Sequence, residues 1–169
     1  MKTLFETFKE QMPEYSEVHR TLINNYAKIG GAEGQDRQDF GKSFATIYEI
    51  YTYCFFLGLY NDNYKEIPKG ENKRGFRMKI SEFGSKSRIG REDFTNLQEN
   101  IFIALVVKTD IDFISLEKGE IEVKEVVKDL LKTLESYTNG GFNIIKEKQE
   151  SSKNYFLKTD SFLRFINLN

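Results

Sequence analysis

The sequence predicts a mainly α-helical fold: a single compact helical domain that carries a basic loop or a short β-ribbon as an insertion. Three observations support this prediction. The chain has 169 residues, which is the size of one domain. Apolar residues recur at three- to four-residue spacing over most of its length. Fifteen phenylalanines and nine tyrosines are enough to fill one core, and only two prolines interrupt the pattern.

The first 39 residues predict two helices and a loop. Leu4, Phe5, Phe8 and Met12 have helical spacing, and Pro13 interrupts this first helix. Ser16 is the expected N-cap of the second helix. Five apolar residues predict the buried face of that helix: Val18, Leu22, Ile23, Tyr26 and Ile29. The glycine-rich stretch 30–39 then predicts a loop.

Residues 40–60 predict the central buried helix of the domain. The stretch is mostly apolar and too long for a strand. Gly58 is expected either to cap this helix or to allow a close contact with another helix. Asn61, Asp62 and Asn63 form a turn signal, which ends the helix.

Residues 92–169 predict the C-terminal helices. One helix begins near Phe94 and ends near Val107, and Asp110 or Asp112 is expected to cap the next element. Apolar residues on one face predict a surface helix over 121–137, and the sequence Asn139-Gly140-Gly141 is expected to stop it. A short helix over 142–147 and an amphipathic element over 155–166 follow, the latter with Phe156, Phe162, Leu163 and Ile166 as its apolar residues. About six helices are expected in all.

The near-neutral total charge hides an uneven distribution. The formal net charge is −1, but residues 65–91 carry nine basic and three acidic side chains, a balance of +6. The rest of the chain therefore carries −7. We call residues 65–91 the basic segment; it makes up most of a predicted excursion over 63–91. Within it, Phe76 to Ile80 alternates apolar and basic residues, which predicts a short strand with Phe76, Met78 and Ile80 facing the core.

The basic segment has the composition of a nucleic-acid contact surface, because lysine and arginine bind phosphates and four of the seven arginines lie within 18 residues. The alternatives are a charged loop that faces the acidic part of the same molecule or a protein partner, and a site for a small anion. The candidate nucleic-acid-binding residues are Lys69, Lys73, Arg74, Arg77, Lys79, Lys86, Arg88 and Arg91.

Composition disfavours most other functions. A single cysteine, Cys54, and a single histidine, His19, exclude a disulfide framework, a Cys/His zinc site and a Cys–His catalytic pair within one chain. We interpret Cys54 as a buried, inert thiol and His19 as a surface residue. The longest apolar stretch, 53–60, is far shorter than the roughly 20 residues of a membrane span. We therefore expect a soluble, cytoplasmic protein without membrane association or a cofactor.

Two further patterns are weak. The stretches Gly84-Ser85-Lys86-Ser87 and Gly41-Lys42-Ser43 are superficially similar to phosphate-binding loops, but neither has the upstream glycine spacing of such a loop. Asp110, Asp112, Glu117 and Glu120 are oxygen ligands of the kind that hard cations prefer, yet helix capping accounts for the aspartates. No catalytic residue and no metal ligand is assigned. A metal-dependent hydrolase or nuclease is the weakest of the functional hypotheses.

The chain also resembles a known group of proteins. The motifs are Ile47-Tyr48-Glu49-Ile50-Tyr51, Phe55 to Tyr60, the basic loop, the Phe94 helix and Glu135-x-Tyr137-x-Asn139-Gly140-Gly141-Phe142. Over about residues 40–165 this pattern is similar to small proteins associated with DNA phosphorothioation (Dnd) and related bacterial phage-defence loci. The resemblance implies an accessory component of a multi-protein, DNA-directed defence system and carries over no catalytic residue.

Two functions therefore lead. The first is a non-enzymatic, DNA-associated accessory subunit of a phage-defence system that contacts phosphates through the basic segment, with DNA and a protein of the same complex as partners. The alternative is a protein-interaction adaptor, or a small inhibitor, that binds a charged protein partner without nucleic acid.

Overall fold

A computed structural model describes residues 2–27, 43–85, 93–158 and 160–167. It confirms the mainly α-helical class, with seven α-helices and two short strands in this part of the chain. In chain order the elements are α1 (Leu4–Lys9), β1 (Glu14–Ser16), α2 (Arg20–Tyr26), α3 (Ile47–Tyr60), β2 (Lys73–Gly75), α4 (Asn96–Lys108), α5 (Phe113–Glu117), α6 (Val123–Ser151) and α7 (Ser161–Asn167). Single 3₁₀ turns lie at Glu17–His19, Ile80–Glu82 and Tyr155–Leu157.

The chain divides into two compact units. The first unit comprises Met1–Glu14 and Gly75–Glu135, and the second comprises Tyr15–Arg74 and Ser136–Asn169. The core of the first unit includes Phe8, Ile80, Phe83, Ile101, Leu105, Leu130 and Leu134. The core of the second unit includes Tyr15, Ile23, Tyr48, Tyr51, Phe55, Phe142, Phe156 and Phe162.

The N-terminal helices are shorter than predicted. Helix α1 begins with a capping box, in which the Thr3 N–H donates to Glu6 Oε2 at 2.8 Å, and it ends at Lys9. A strand and a 3₁₀ turn precede α2, because the backbone of β1 pairs with β2. Ser16 is an N-cap, as predicted, but of the 3₁₀ turn. Val18 is 63% exposed, so its predicted place on the buried face is wrong.

The central helix α3 begins at Ile47, where Glu49 Oε2 accepts a hydrogen bond from the Thr46 N–H at 3.2 Å. Residues 43–46 precede the helix, and Phe44 instead donates its backbone N–H to the Tyr26 carbonyl at 2.9 Å. From Tyr48 to Gly58 most residues are buried, which confirms the predicted burial of this helix. Residues 40–42 and the predicted loop over 30–39 lie outside the described residues.

Helix α6 does not stop at the glycine pair, so that prediction is wrong. It is continuous from Val123 to Ser151 and includes the predicted short helix over 142–147. A Cβ at Gly140 would collide with the Asn63 carbonyl, and one at Gly141 would collide with the Cys54 carbonyl. A Cβ at Gly58 of α3 would likewise collide with the Tyr137 carbonyl. These glycines lie inside the helices because the backbone of α6 touches the backbone of α3 and of Asn63 just after it, which leaves no room for a side chain.

The strand predicted over 76–80 is also wrong, because the strand that forms is β2, just before it. Arg77 has a left-handed backbone, with φ at +53°, which an extended strand cannot contain. The predicted orientations are nevertheless right in part. Ile80 is buried, Phe76 and Met78 are half-buried, and Arg77 and Lys79 are exposed.

The C-terminal elements follow the predicted order with shifted limits. Helix α4 begins at Asn96, two residues after Phe94, and Phe94 itself is 41% exposed. Asp112 caps α5, as predicted, because its Oδ1 accepts the N–H groups of Ile114 and Ser115. The final segment divides into a 3₁₀ turn and α7, in which Phe162 is buried as predicted while Leu163 is 72% exposed, against prediction.

Among the helices in the described ranges, none combines the length and the apolar character needed to cross a bilayer.

Candidate nucleic-acid interface

The structure describes five of the eight candidate nucleic-acid-binding residues, and all five side chains are exposed. The second unit contains Lys69, Lys73 and Arg74, and the first unit contains Arg77 and Lys79. Lys86, Arg88 and Arg91 lie outside the described residues. Exposure leaves the five cations within reach of a partner's anionic groups.

Lys69 lies in a tight turn. The Glu71 N–H donates to the Pro68 carbonyl at 3.1 Å, and Gly70 has φ at +88°. A turn with a positive φ at its third position needs glycine there, and it places Lys69 at the second position. The Lys69 side chain makes no ion pair or hydrogen bond with any described residue. It is therefore a cation on an exposed turn.

Lys73 and Arg74 belong to strand β2. The backbone continues the pairing with the N-terminal strand, since the Glu17 N–H donates to the Asn72 carbonyl at 2.8 Å. The Arg74 guanidinium donates from Nη1 to Glu17 Oε1 at 2.9 Å, and both side chains are nearly half exposed. Guanidinium has five N–H donors, so one bond to Glu17 leaves donors for a second anion.

Arg77 and Lys79 precede the 3₁₀ turn Ile80–Glu82. Arg77 makes no ion pair or hydrogen bond within the described residues. Lys79 Nζ donates to Glu10 Oε2 at 2.7 Å. This hydrogen bond raises the pKa of Lys79 and lowers the pKa of Glu10. The Ile80 N–H donates to the Gln11 carbonyl at 3.0 Å, which ties this stretch to residues near α1.

The described part of the basic segment thus contains both engaged and unengaged cations. Arg74 and Lys79 contact carboxylates of the N-terminal stretch, while Lys69 and Arg77 have no such contact among the described residues. Exposed ion pairs are weak and weaken further with salt. Both pairs therefore leave their cations at the surface.

Two of the four acidic candidates, Asp112 and Glu120, contact Ser115. The Ser115 hydroxyl donates to Asp112 Oδ2 at 2.7 Å and lies 3.1 Å from Glu120 Oε2. Hydrogen bonds from the Ser115 backbone and side chain lower the pKa of Asp112. Within the described ranges, no group of three or more His, Cys, Asp or Glu side chains is arranged to hold a metal ion.

His19 is buried in the second unit, so its predicted surface position is wrong. It is only 2% exposed, it lies 4.8 Å from the Phe142 ring in a stacked arrangement, and its Nε2 is 2.7 Å from Asn139 Oδ1. Burial lowers its pKa. Local spacing could not reveal this environment, because both partners are about 120 residues away and Asn139 itself suggested a helix stop.

Cys54 is fully buried in α3, as predicted, and burial raises the pKa of its thiol well above the ordinary value. A protonated, enclosed thiol is a poor nucleophile, which fits the interpretation of Cys54 as inert.

No protein-family model, curated protein or solved structure matches this chain.

Proposed function

We propose that the protein is a non-enzymatic, DNA-associated accessory subunit of a bacterial phage-defence system, and that cations of the basic segment contact DNA phosphates. The observation that carries this proposal is the exposure of all five described candidates: Lys69, Lys73, Arg74, Arg77 and Lys79. Phosphate contacts of this kind dominate the affinity of proteins for DNA and do not depend on sequence.

The local backbone supports this role. Gly70 lets the chain turn at Lys69, and the left-handed conformation of Arg77 interrupts the extended chain. Both residues carry a cation that no described side chain neutralises. Charge-assisted hydrogen bonds from ammonium and guanidinium groups to phosphate are strong. We therefore expect Lys69 and Arg77 to contribute most of the binding energy among the five described candidates.

The remaining charge limits this affinity. Outside the basic segment the chain carries a net charge of −7, which repels a polyanion. The protein is therefore expected to bind DNA weakly by itself and to depend on a protein partner in the defence complex. The assignment to phage defence rests on the resemblance of residues 40–165 to proteins of Dnd and related loci.

A second candidate function is a protein-interaction adaptor that binds an acidic protein partner without nucleic acid. The observation that favours it is that Arg74 and Lys79 already contact carboxylates, those of Glu17 and Glu10. A partner that presents glutamates or aspartates would make the same bonds in trans.

Fluorescence anisotropy with a labelled DNA duplex, repeated over a salt series, tests the DNA proposal. We expect binding that weakens steeply with salt. The pair Lys69→Ala with Arg77→Gly removes two cations, and glycine preserves the left-handed backbone at position 77. Losing two phosphate contacts should lower the slope of log affinity against log salt by about 2.

The matched control is Lys153→Ala with Lys158→Ala, which removes two exposed lysines outside the basic segment. An equal loss of binding in the control would contradict a role for the basic segment. Absence of any salt-sensitive binding would reject the DNA proposal. Binding of poly-L-glutamate in place of DNA, lost in the Lys69/Arg77 variant, would favour the adaptor.

A further inference from the structure

The second unit contains a polar cavity of about 400 Å³ beside the buried histidine. This volume lies within the range of sites for small molecules. The residues that line it are Val18, His19, Lys65, Glu66, Pro68, Glu71, Asn139 and Asn143. None of them is among the eight candidate nucleic-acid-binding residues, although Lys65, Glu66, Pro68 and Glu71 belong to the basic segment.

The hydrogen bonds around Asn139 determine which nitrogen of His19 carries the proton. Asn139 Nδ2 donates to the Lys65 carbonyl at 3.0 Å, so its Oδ1 is the atom that faces His19. His19 Nε2 is therefore the donor in the 2.7 Å bond to Asn139. In the neutral ring the other nitrogen, Nδ1, then has a free lone pair.

Nδ1 makes no hydrogen bond with any described residue. His19 is 2% exposed and lines the cavity, so Nδ1 is the ring atom that it can offer to a ligand there. A buried polar atom of this kind gains from a donor supplied by a ligand.

The other polar groups of the lining are mostly acceptors too. Asn143 Nδ2 donates to the Asn139 carbonyl at 2.9 Å, which leaves its Oδ1 as the unused end of the amide. Glu66 and Glu71 bring carboxylates, and Glu71 accepts a hydrogen bond from the Ser16 hydroxyl. The single cation of the lining, Lys65, lies 3.8 Å from Glu147. The lining therefore favours a ligand that is positively charged and donates several hydrogen bonds.

We propose that this cavity binds the head group of an alkyl guanidinium or alkyl ammonium compound. Its N–H groups donate to His19 Nδ1, to Asn143 Oδ1 and to the carboxylate of Glu71, because these acceptors surround the cavity. The attached hydrocarbon lies against Val18 and Pro68, the two apolar residues of the lining, both of which are exposed.

NMR on the intact protein tests this proposal directly, because His19 is the only histidine and its ring nitrogens give isolated signals. The probe is n-butylguanidinium chloride at pH 7.5, titrated to about 10 mM, which is tenfold above a weak dissociation constant of ~1 mM. We expect the Nδ1 signal to move and to saturate. Equal concentrations of sodium butyrate and potassium chloride should leave it in place.

Variants distinguish a specific site from general attraction. Glu71→Gln and Asn143→Leu should each weaken binding about tenfold or more, because each removes an acceptor for a charged donor. Glu150→Gln removes an exposed carboxylate of α6 outside the cavity and should leave binding unchanged. If Glu71→Gln disturbs the structure through its contact with Ser16, the loss of binding in Asn143→Leu alone decides whether the cavity is the site.

A comparison of probes identifies the source of the cation. Stronger binding of n-butylguanidinium or n-butylammonium than of acetyl-glycyl-arginyl-glycinamide indicates a free small molecule, and the reverse order indicates an arginine side chain of a protein. An unmoved Nδ1 signal overturns the proposal. So does a titration in which the Glu71→Gln and Asn143→Leu variants bind n-butylguanidinium as tightly as the unsubstituted protein. These measurements contain no DNA, so their outcome is separate from that of the DNA proposal.

Discussion

Helices α3 and α6 meet through backbone atoms, whereas the five described candidate cations of the basic segment are exposed at the surface. In the first region Gly58, Gly140 and Gly141 leave no space for a Cβ. In the second, Arg74 and Lys79 each contact one carboxylate at the surface. Substitutions should therefore affect folding in the helix pair and binding in the basic segment.

The largest expected effect is that of Gly141→Ala. Alanine favours a helix interior over glycine by about 1 kcal/mol. Here its Cβ would collide with the Cys54 carbonyl, a backbone atom that cannot rotate away. We expect the collision to prevail and to lower the free energy of unfolding by about 3 kcal/mol, measured by urea denaturation. Cys54 should also become reactive towards a maleimide, because its burial depends on this contact.

Gly119→Ala is the matched control for that substitution. Gly119 has φ at +73° and no atom within 4 Å of its would-be Cβ. Its replacement should lower the free energy of unfolding by only about 1 to 2 kcal/mol, the cost of a left-handed backbone at alanine. Cys54 should remain protected from the maleimide. An equal loss of stability in both variants would contradict the idea that the close contact with Cys54 requires glycine at position 141.

The helix pair also shows what the sequence could and could not predict. The length and mostly apolar composition of residues 40–60 predicted the buried stretch of α3, because both are local properties of the sequence. Local signals failed at Asn139-Gly140-Gly141, since the same residues that stop helices elsewhere allow a close contact here. That contact involves Asn63 and Cys54, which are far away in the sequence.

The candidate interface was predictable to a similar extent. The exposure of its cations follows from their charge, and the structure agrees with it for all five described residues. Their carboxylate partners were not predictable, because Glu17 and Glu10 lie 57 and 69 residues from Arg74 and Lys79. His19 was misplaced for the same reason, since its environment is formed by residues about 120 positions away.

A smaller effect is expected from the protonation of His19. Burial lowers its folded-state pKa below the ordinary 6.5, so the unfolded chain binds the proton first as the pH falls. The free energy of unfolding should therefore decrease below about pH 6.5 and level off once the pH passes the folded-state pKa. The hydrogen bond with Asn139 partly offsets this lowering of the pKa, while the charge of Lys146 adds to it.

Urea denaturation between pH 7.5 and pH 5 measures this dependence. His19→Gln is the control, because glutamine retains an amide donor and does not titrate. The carboxyl groups with lowered pKa values, Glu6, Glu10 and Asp112, contribute only below about pH 4.5. A decrease of the same size in His19→Gln would attribute the pH dependence to other groups.

The smallest effect is expected at the surface pair of Arg74 and Glu17. A double-mutant cycle with Arg74→Ala and Glu17→Ala should give a coupling energy below about 1 kcal/mol, since both side chains are nearly half exposed. The coupling should shrink further between low and physiological salt. A larger, salt-independent value would make Arg74 a structural residue and count against its availability to phosphate. A small value means that the Arg74 guanidinium can exchange the Glu17 carboxylate for another anion, as a binding surface requires. The contact between α3 and α6 differs, because its backbone atoms cannot exchange partners without disturbing the fold.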